Sequence, residues 1–224
     1  MTKKNEIKAA VFGISRLRMG IDGPGVTTLV TFMGCPLRCK YCINEKCHEP
    51  VFEADGKTLR PGILLLTPQE LYDRVKRDNI YFQATGGGIC FGGGEPGLQN
   101  EFIEEFRRIC GDKWKLTIET SLNYDPSHLE RLIPIIDHWI VDIKELNSIF
   151  YKRYTGVDPE QAYLNLDRLV DVREKVIVRT PIIPGFNEGR DVDESYNTLA
   201  LLGFQTEELT YLTPEQYEQR KRKV

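Results

Sequence analysis

The chain has 224 residues, 41% hydrophobic and 28% charged, a composition with enough apolar side chains for a buried core and too many for a disordered chain. Thirty Lys and Arg against thirty-three Asp and Glu leave a net charge of −3, so neither nucleic acid nor an anionic membrane surface is an expected partner. No stretch approaches the ~18 uncharged apolar residues of a membrane span, and the basic N-terminus lacks the apolar core of a secretory signal. A cytoplasmic protein is expected, folded as one domain over 1–224, with 1–20 an N-terminal extension or strand and 213–224 a charged tail.

Turn-forming Asp22-Gly-Pro-Gly25 introduces the first clear strand, Val26–Phe32. Segment 45–66 carries no decisive pattern. Thr67-Pro-Gln-Glu70 combines an N-cap, a Pro at the first helical position and a capping-box Glu, and opens a helix to about Asp78. A short buried strand, Ile89–Phe91, ends in glycines, and a helix over Glu101–Cys110 and a strand over Lys115–Glu119 follow. Asp125-Pro126 opens the next helix, with Leu129, Leu132 and Ile133 on one face, before the strand Trp139–Ile143. Asp158-Pro-Glu starts a helix leading to the strand Lys175–Arg179, and a helix around Ser195–Leu202 precedes a last strand, Glu208–Leu212. The alternation amounts to about six βα units. Six are too few to close the eight-stranded barrel of ~250 residues, yet right-handed crossovers would curl them the same way. The expected fold is an α/β partial (β/α)6 barrel, open on one side.

Half of the six cysteines, Cys35, Cys39 and Cys42, fall within eight residues as C-x3-C-x2-C. Such crowding points to metal ligation, because thiolates are soft ligands that select zinc or iron–sulfur clusters. A structural zinc site wants four closed ligands, usually as two separated pairs; here the second pair is missing, and Cys47 or His48 would have to supply the fourth ligand. Three cysteines on a four-iron cubane instead leave one iron open to a substrate. Gly92-Gly-Gly-Glu95-Pro96 reads either as an ordinary glycine loop or as a place where a ligand approaches the backbone beside a carboxylate. Asp142 with Lys144 has the bland reading of a buried ion pair. Cys90 and Cys110 read as small buried hydrophobes, Cys47 as a surface thiol, and His48, His128 and His138 form no spaced ligand set. The cysteines, Gly94/Glu95, Glu119, Asp142/Lys144 and Arg179 each fall at or beyond the end of a different predicted strand. In a parallel barrel those ends share one rim, where active sites are built.

With aromatic Tyr41 just before its last cysteine, the motif resembles the signature of the radical S-adenosylmethionine (radical SAM) superfamily, and Gly92–Pro96 resembles that superfamily's Gly-Gly-Glu segment. Within it the chain is most similar to the activating enzymes of glycyl radical enzymes, from about Ile21 to about Glu188. The shared features include Asp22-Gly-Pro-Gly25, Val141-Asp-Ile-Lys144, and Arg179 followed by Ile183-Pro-Gly185. The resemblance implies one [4Fe-4S] cluster held by Cys35, Cys39 and Cys42. It also implies S-adenosylmethionine bound with Gly93, Gly94 and Glu95 at its methionine amino group, with Asp142, Lys144 and Arg179 near the nucleoside or carboxylate, and with Tyr41, Glu119 and Thr120 alongside. Reductive cleavage of S-adenosylmethionine would give a 5′-deoxyadenosyl radical that takes a hydrogen atom from a backbone glycine of a partner enzyme. The electron would come from a donor such as flavodoxin or ferredoxin.

Three departures stand out. Glu119-Thr120 replaces the family's frequent Asp-Thr pair, no Leu-Pro-Tyr-His segment follows Leu209–Pro214, and Cys42 to Gly92 holds only Cys47 and Cys90 where some activating enzymes carry a ferredoxin-like module. Two other functions stay open at this level: a radical SAM enzyme acting on a small molecule or peptide, and a non-enzymatic zinc or iron–sulfur binding module.

Overall fold

The computed structural model describes residues 6–182, 187 and 190–210. Eight strands form one sheet: β1 (Ala9–Met19), β2 (Val26–Phe32), β3 (Leu64–Leu66), β4 (Gly88–Gly93), β5 (Lys115–Thr120), β6 (His138–Asp142), β7 (Val176–Ile182) and β8 (Gln205–Thr210). Their order is β3-β1-β2-β4-β5-β6-β7-β8. The six strands from β2 to β8 are parallel, whereas β1 runs antiparallel to both β2 and β3. The sheet stays open among the described residues, with β3 and β8 at its two edges, as expected for a partial barrel.

The crossovers are helical: α1 (Pro68–Val75) and α2 (Asn79–Thr85) before β4, α3 (Asn100–Cys110) before β5, and α4 (Pro126–Leu132) before β6. They continue with α5 (Ser148–Thr155) and α6 (Glu160–Arg168) before β7, and α7 (Arg190–Leu201) before β8. Thr67 and Glu70 form the expected capping box on α1, and Asp125 caps α4 through the Ser127 amide. Between the sheet and these helices lies a core in which Val30, Phe32, Ile89, Phe91, Leu116, Ile118, Trp139, Val141, Val176 and Val178 of the strands meet Leu71, Phe102, Phe106 and Leu166. Phe32 stacks on Phe91 and meets Phe102 edge-on, each at 5.5 Å between ring centres. Fully burying each such side chain contributes roughly 1.5–3 kcal/mol.

The alternate strand positions are different in kind. Leu29, Cys90, Thr117, Glu119, Ile140, Asp142 and Arg179 stand between the core residues in sequence, so they project from the opposite face of the sheet. A parallel sheet buried on both faces usually reads as continuous apolar runs; here the second face carries charge, and the candidate site follows from that.

Four expectations change in detail. The N-terminal stretch, expected as an extension or a strand, is the strand β1 ahead of the expected Val26–Phe32; a shift in pairing between Ser15 and Arg18, with Leu17 at φ 57°, and an exposed second half erase its period-2 signal. The helical segment beginning at Thr67 runs on past Asp78 to Thr85 and stops at Gly86, which takes the left-handed conformation at φ 69°. Helix α5 had been missed, although Asn147 caps it and Gly156 ends it in the left-handed region. The last strand is Gln205–Thr210, three residues earlier than Glu208: it is an edge strand with almost every residue exposed, so no buried face fixes its register. Ile183-Pro-Gly185 and Leu212 with the tail lie outside the described residues.

One tertiary bond shapes the loop that follows β5. Asn165 of α6 is buried and donates from Nδ2 to the carbonyls of Leu122 and Tyr124, at 2.9 and 2.7 Å, across a turn where Leu122 sits at φ 60°. Asn165→Ala would leave both buried carbonyls without that donor, and an expected loss of about 1–3 kcal/mol should appear in urea denaturation; an unchanged midpoint would show that the turn holds without Asn165.

Candidate active site

The cysteine motif occupies the loop leaving β2 and is fastened from two sides. Arg38 and Lys40 donate their amides to the carbonyls of Thr155 and Tyr154 at the end of α5, at 2.8 and 3.1 Å, and Tyr41 stacks on Tyr154. On the other side, Gly34 donates its amide to the Cys47 carbonyl at 2.8 Å. Cys35, Cys39 and Cys42 are half-buried thiols. Cys47, expected at the surface, is instead buried and interacts with both Cys35 and Cys42. That contact holds the Cys42 thiol down to about 6, with further help from the Asn44 amide and His48, and lowers Cys35 as well. Burial pushes Cys39 up to about 11. Cys90 and Cys110 are buried, as expected. Among the described residues no three His, Cys, Asp or Glu side chains converge closely enough to hold a single metal ion.

The glycine segment leaves β4 beside this loop. Gly94 donates its amide to Phe32 O at 2.9 Å and Glu95 to Gly34 O at 2.8 Å. A Cβ on Gly94 would lie 2.1 Å from Gly34 O, so only glycine allows this approach of two backbones. The Glu95 side chain is 1% exposed, and its two oxygens accept four hydrogen bonds. Thr120 Oγ1 and the Gly97 amide donate to one oxygen at 2.6 and 3.0 Å; the Ser121 amide and Oγ donate to the other at 2.9 and 2.7 Å. Burial still raises its carboxyl above the usual range, and these donors pull the other way. Thr120 and Glu95 were both expected at the site, but the side-chain bond between them, and Ser121 as a third member, lay beyond sequence reasoning.

Around one cavity of about 460 Å³ stand Cys35, Cys39, Cys42, Tyr41, Gly93, Gly94, Glu95, Glu119, Thr120, Asp142, Lys144 and Arg179, together with Arg18, Asp22 and Ser121. All twelve residues singled out from the sequence therefore line the same space. Apart from Glu95, whose oxygens are held by hydroxyls and amides, the acids within it are paired with cations. Lys144 Nζ meets Asp142 at 2.8 Å, Arg18 pairs with the buried Asp22, and Arg179 Nη1 reaches Glu119 at 3.3 Å. Arg179 also donates to Glu207 on β8 at 2.9 Å and to Ile21 O at 2.7 Å. Four of the strand-end placements hold, but Arg179 lies in the middle of β7 and reaches the cavity by its length. Arg18 was missed because no alternation within residues 1–20 showed which side chains of β1 face the cavity.

Glu119 is pushed up to about 7, first by burial and then by the carboxylates of Asp142 and Asp22, with Arg179 opposing. Its folded value lies above the ordinary 4.5, so between those two values the folded chain retains a proton that the unfolded chain has lost. Glu119 therefore costs no stability below the lower value and progressively more as pH rises through the window, by at most about 3 kcal/mol. In denaturant titrations of the cluster-free protein, Glu119→Gln is expected to flatten the fall in stability over that window. A slope equal to the wild type would assign the fall to another group.

Comparison with known proteins agrees with this geometry. The family model described as the radical SAM superfamily matches residues 29–199. The indoleacetate decarboxylase activating enzyme of Tractidigestivibacter scatoligenes is 29% identical, with 88% of this chain and 80% of that protein covered. The pyruvate formate-lyase-activating enzyme of Clostridium pasteurianum is 32% identical over 171 residues, covering 76% of this chain and 68% of that protein. In fold, the chain is similar to SuiB of Streptococcus suis bound to S-adenosylmethionine, with TM-score 0.58, 16% identity, and coverage of 82% of this chain and 40% of that one. A family match over most of the chain, with the motif cysteines and the glycine segment on one cavity, makes this protein a member of the radical SAM superfamily, an enzyme whose relatives include the activating enzymes of glycyl radical enzymes.

Proposed function

We propose that this enzyme reductively cleaves S-adenosylmethionine and installs a glycyl radical on a partner protein. The observation that carries the proposal is the meeting of three thiols, a glycine-lined backbone and paired charges on one cavity. Cys35, Cys39 and Cys42 are the ligands of one [4Fe-4S] cluster. Three motif thiols with no separated second pair suit a four-iron cluster with one open iron better than structural zinc, whose site closes on four ligands.

S-adenosylmethionine presents a carboxylate and an ammonium at its methionine end, which suits a cavity whose cations and anions are already paired. Lys144 can turn from Asp142 toward the ligand carboxylate, so that one charge-assisted contact replaces another. Glu95, with both oxygens already engaged, fixes the backbone of Gly93 and Gly94 against the ammonium and adds negative charge. Asp142, Glu119, Thr120, Arg179 and Tyr41 complete the pocket around the rest of the ligand. When bound, the cluster and S-adenosylmethionine supply the radical chemistry; the residues of the chain hold the reacting carbon in place and keep water away with Leu29, Leu37 and Ile21.

A protein target is supported by the relatives, which are activating enzymes for indoleacetate decarboxylase, pyruvate formate-lyase and choline trimethylamine-lyase. The open sheet leaves a side through which an extended segment can approach. The test mixes reduced, reconstituted enzyme with S-adenosylmethionine and a candidate glycyl radical protein from the same source. The expected result is a persistent glycyl signal in electron paramagnetic resonance, lost when the target glycine is changed to Ala. Consumption of a small metabolite or peptide in step with 5′-deoxyadenosine, with no protein radical, would overturn the proposal.

A further inference from the structure

The residue after Lys144 is a glutamate with almost no contact with solvent. Glu145 is 1% exposed, yet it lies outside the cavity and takes no part in the charge pairs there. Its Oε1 accepts three hydrogen bonds: from Ser195 Oγ of α7 at 2.5 Å, from the Leu146 amide at 2.8 Å and from the Asn147 amide at 3.1 Å. Ser195 Oγ in turn accepts from the Leu146 amide at 3.2 Å, and Tyr163 of α6 donates its hydroxyl to the Glu145 carbonyl at 2.9 Å. The other carboxylate oxygen, Oε2, is buried with no hydrogen-bond partner among the described residues. Burying a carboxylate with one oxygen unpartnered costs stability, and an uncharged acceptor would have served to hold two amides.

What the carboxylate fixes is a junction. Upstream by one and three residues are Lys144 and Asp142, the ion pair on the cavity wall. Downstream is Asn147, whose side chain caps α5, the helix whose last carbonyls receive the amides of the cysteine loop. A displacement of Glu145 would therefore shift Lys144 directly, because two backbone bonds and one helix contact would be released within three residues of it. Taking Lys144 as a cosubstrate contact, as proposed above, we infer that Glu145, anchored by Ser195, is a positioning residue that sets Lys144 and Asp142 at the distance S-adenosylmethionine requires.

The test is a double-mutant cycle on the reconstituted holoenzyme, with three readouts: iron content, equilibrium binding of S-adenosylmethionine, and amide exchange of the peptide spanning 143–149. Glu145→Ala should leave the iron content unchanged, speed exchange at Leu146 and Asn147, and weaken binding about tenfold, a size common for residues that orient direct ligand contacts. Glu145→Gln keeps an oxygen that accepts from Ser195 and both amides, so it should bind near the wild-type level; it also serves if the Ala variant does not fold. Lys144→Ala should weaken binding too, and adding Glu145→Ala to it should cost little more, because the second residue acts through the first. Wild-type affinity in Glu145→Ala alongside a weakened Lys144→Ala would overturn the coupling alone, as would losses that multiply in the double variant. Wild-type affinity in Lys144→Ala would remove the reading of Lys144 as a ligand contact, and the inference with it.

Discussion

A carboxylate that has lost its water must be surrounded by donors or it will not stay charged in place, and the buried Glu95 meets that condition by drawing three strand exits together. Its own strand is β4, its donors Thr120 and Ser121 come from the end of β5, and its backbone amide is held by Gly34 at the exit of β2. The cysteine loop and the glycine segment thereby become one rigid unit, with Gly94 too close to Gly34 to tolerate a side chain. Removing the Glu95 carboxylate would free two hydroxyls and two amides in a dry environment, so Lys144 and Asp142 are better probes of ligand contact than Glu95 itself.

The second constraint is the division of the sheet into two faces. Aromatic and branched residues pack against the helices, while the opposite face carries Asp142 and Arg179 as register partners on β6 and β7, with Glu119 on β5 opposite Ile140, one same-face position from Asp142. The acids on that face are paired with cations, Asp142 with Lys144 and Glu119 with Arg179. Such pairs are poor sources of stability when buried and good sources of specificity for a ligand that itself carries both signs.

Much of this was legible in the sequence because the chemistry sits at strand ends, where apolar runs stop and motif residues begin. Cys35–Cys42, Gly93–Glu95 and Asp142–Lys144 could be placed on a common rim once the βα alternation was read. The residues that escaped did so for physical reasons. Arg18 belongs to a strand whose bulge and exposure hide its period. Ser121 and Glu145 are polar residues buried by tertiary bonds across 26 and 50 positions, and no local pattern announces such partners. Cys47 looked like a surface thiol because it stands in a polar, helix-poor stretch, yet the loop folds it inward against Cys35 and Cys42.

One cavity is lined by the three motif thiols, the glycine segment and Lys144, and the proposed function puts a cluster on those thiols facing S-adenosylmethionine. Electron-nuclear double resonance on the reduced, reconstituted protein with S-adenosylmethionine carrying 15N in its amino group addresses that directly. The expected result is a hyperfine coupling between the cluster and the labelled nitrogen, lost when the cluster ligands Cys35, Cys39 and Cys42 are replaced. Stoichiometric zinc in anaerobically prepared protein, or a reduced cluster with no coupling to the label at saturating S-adenosylmethionine, would contradict it.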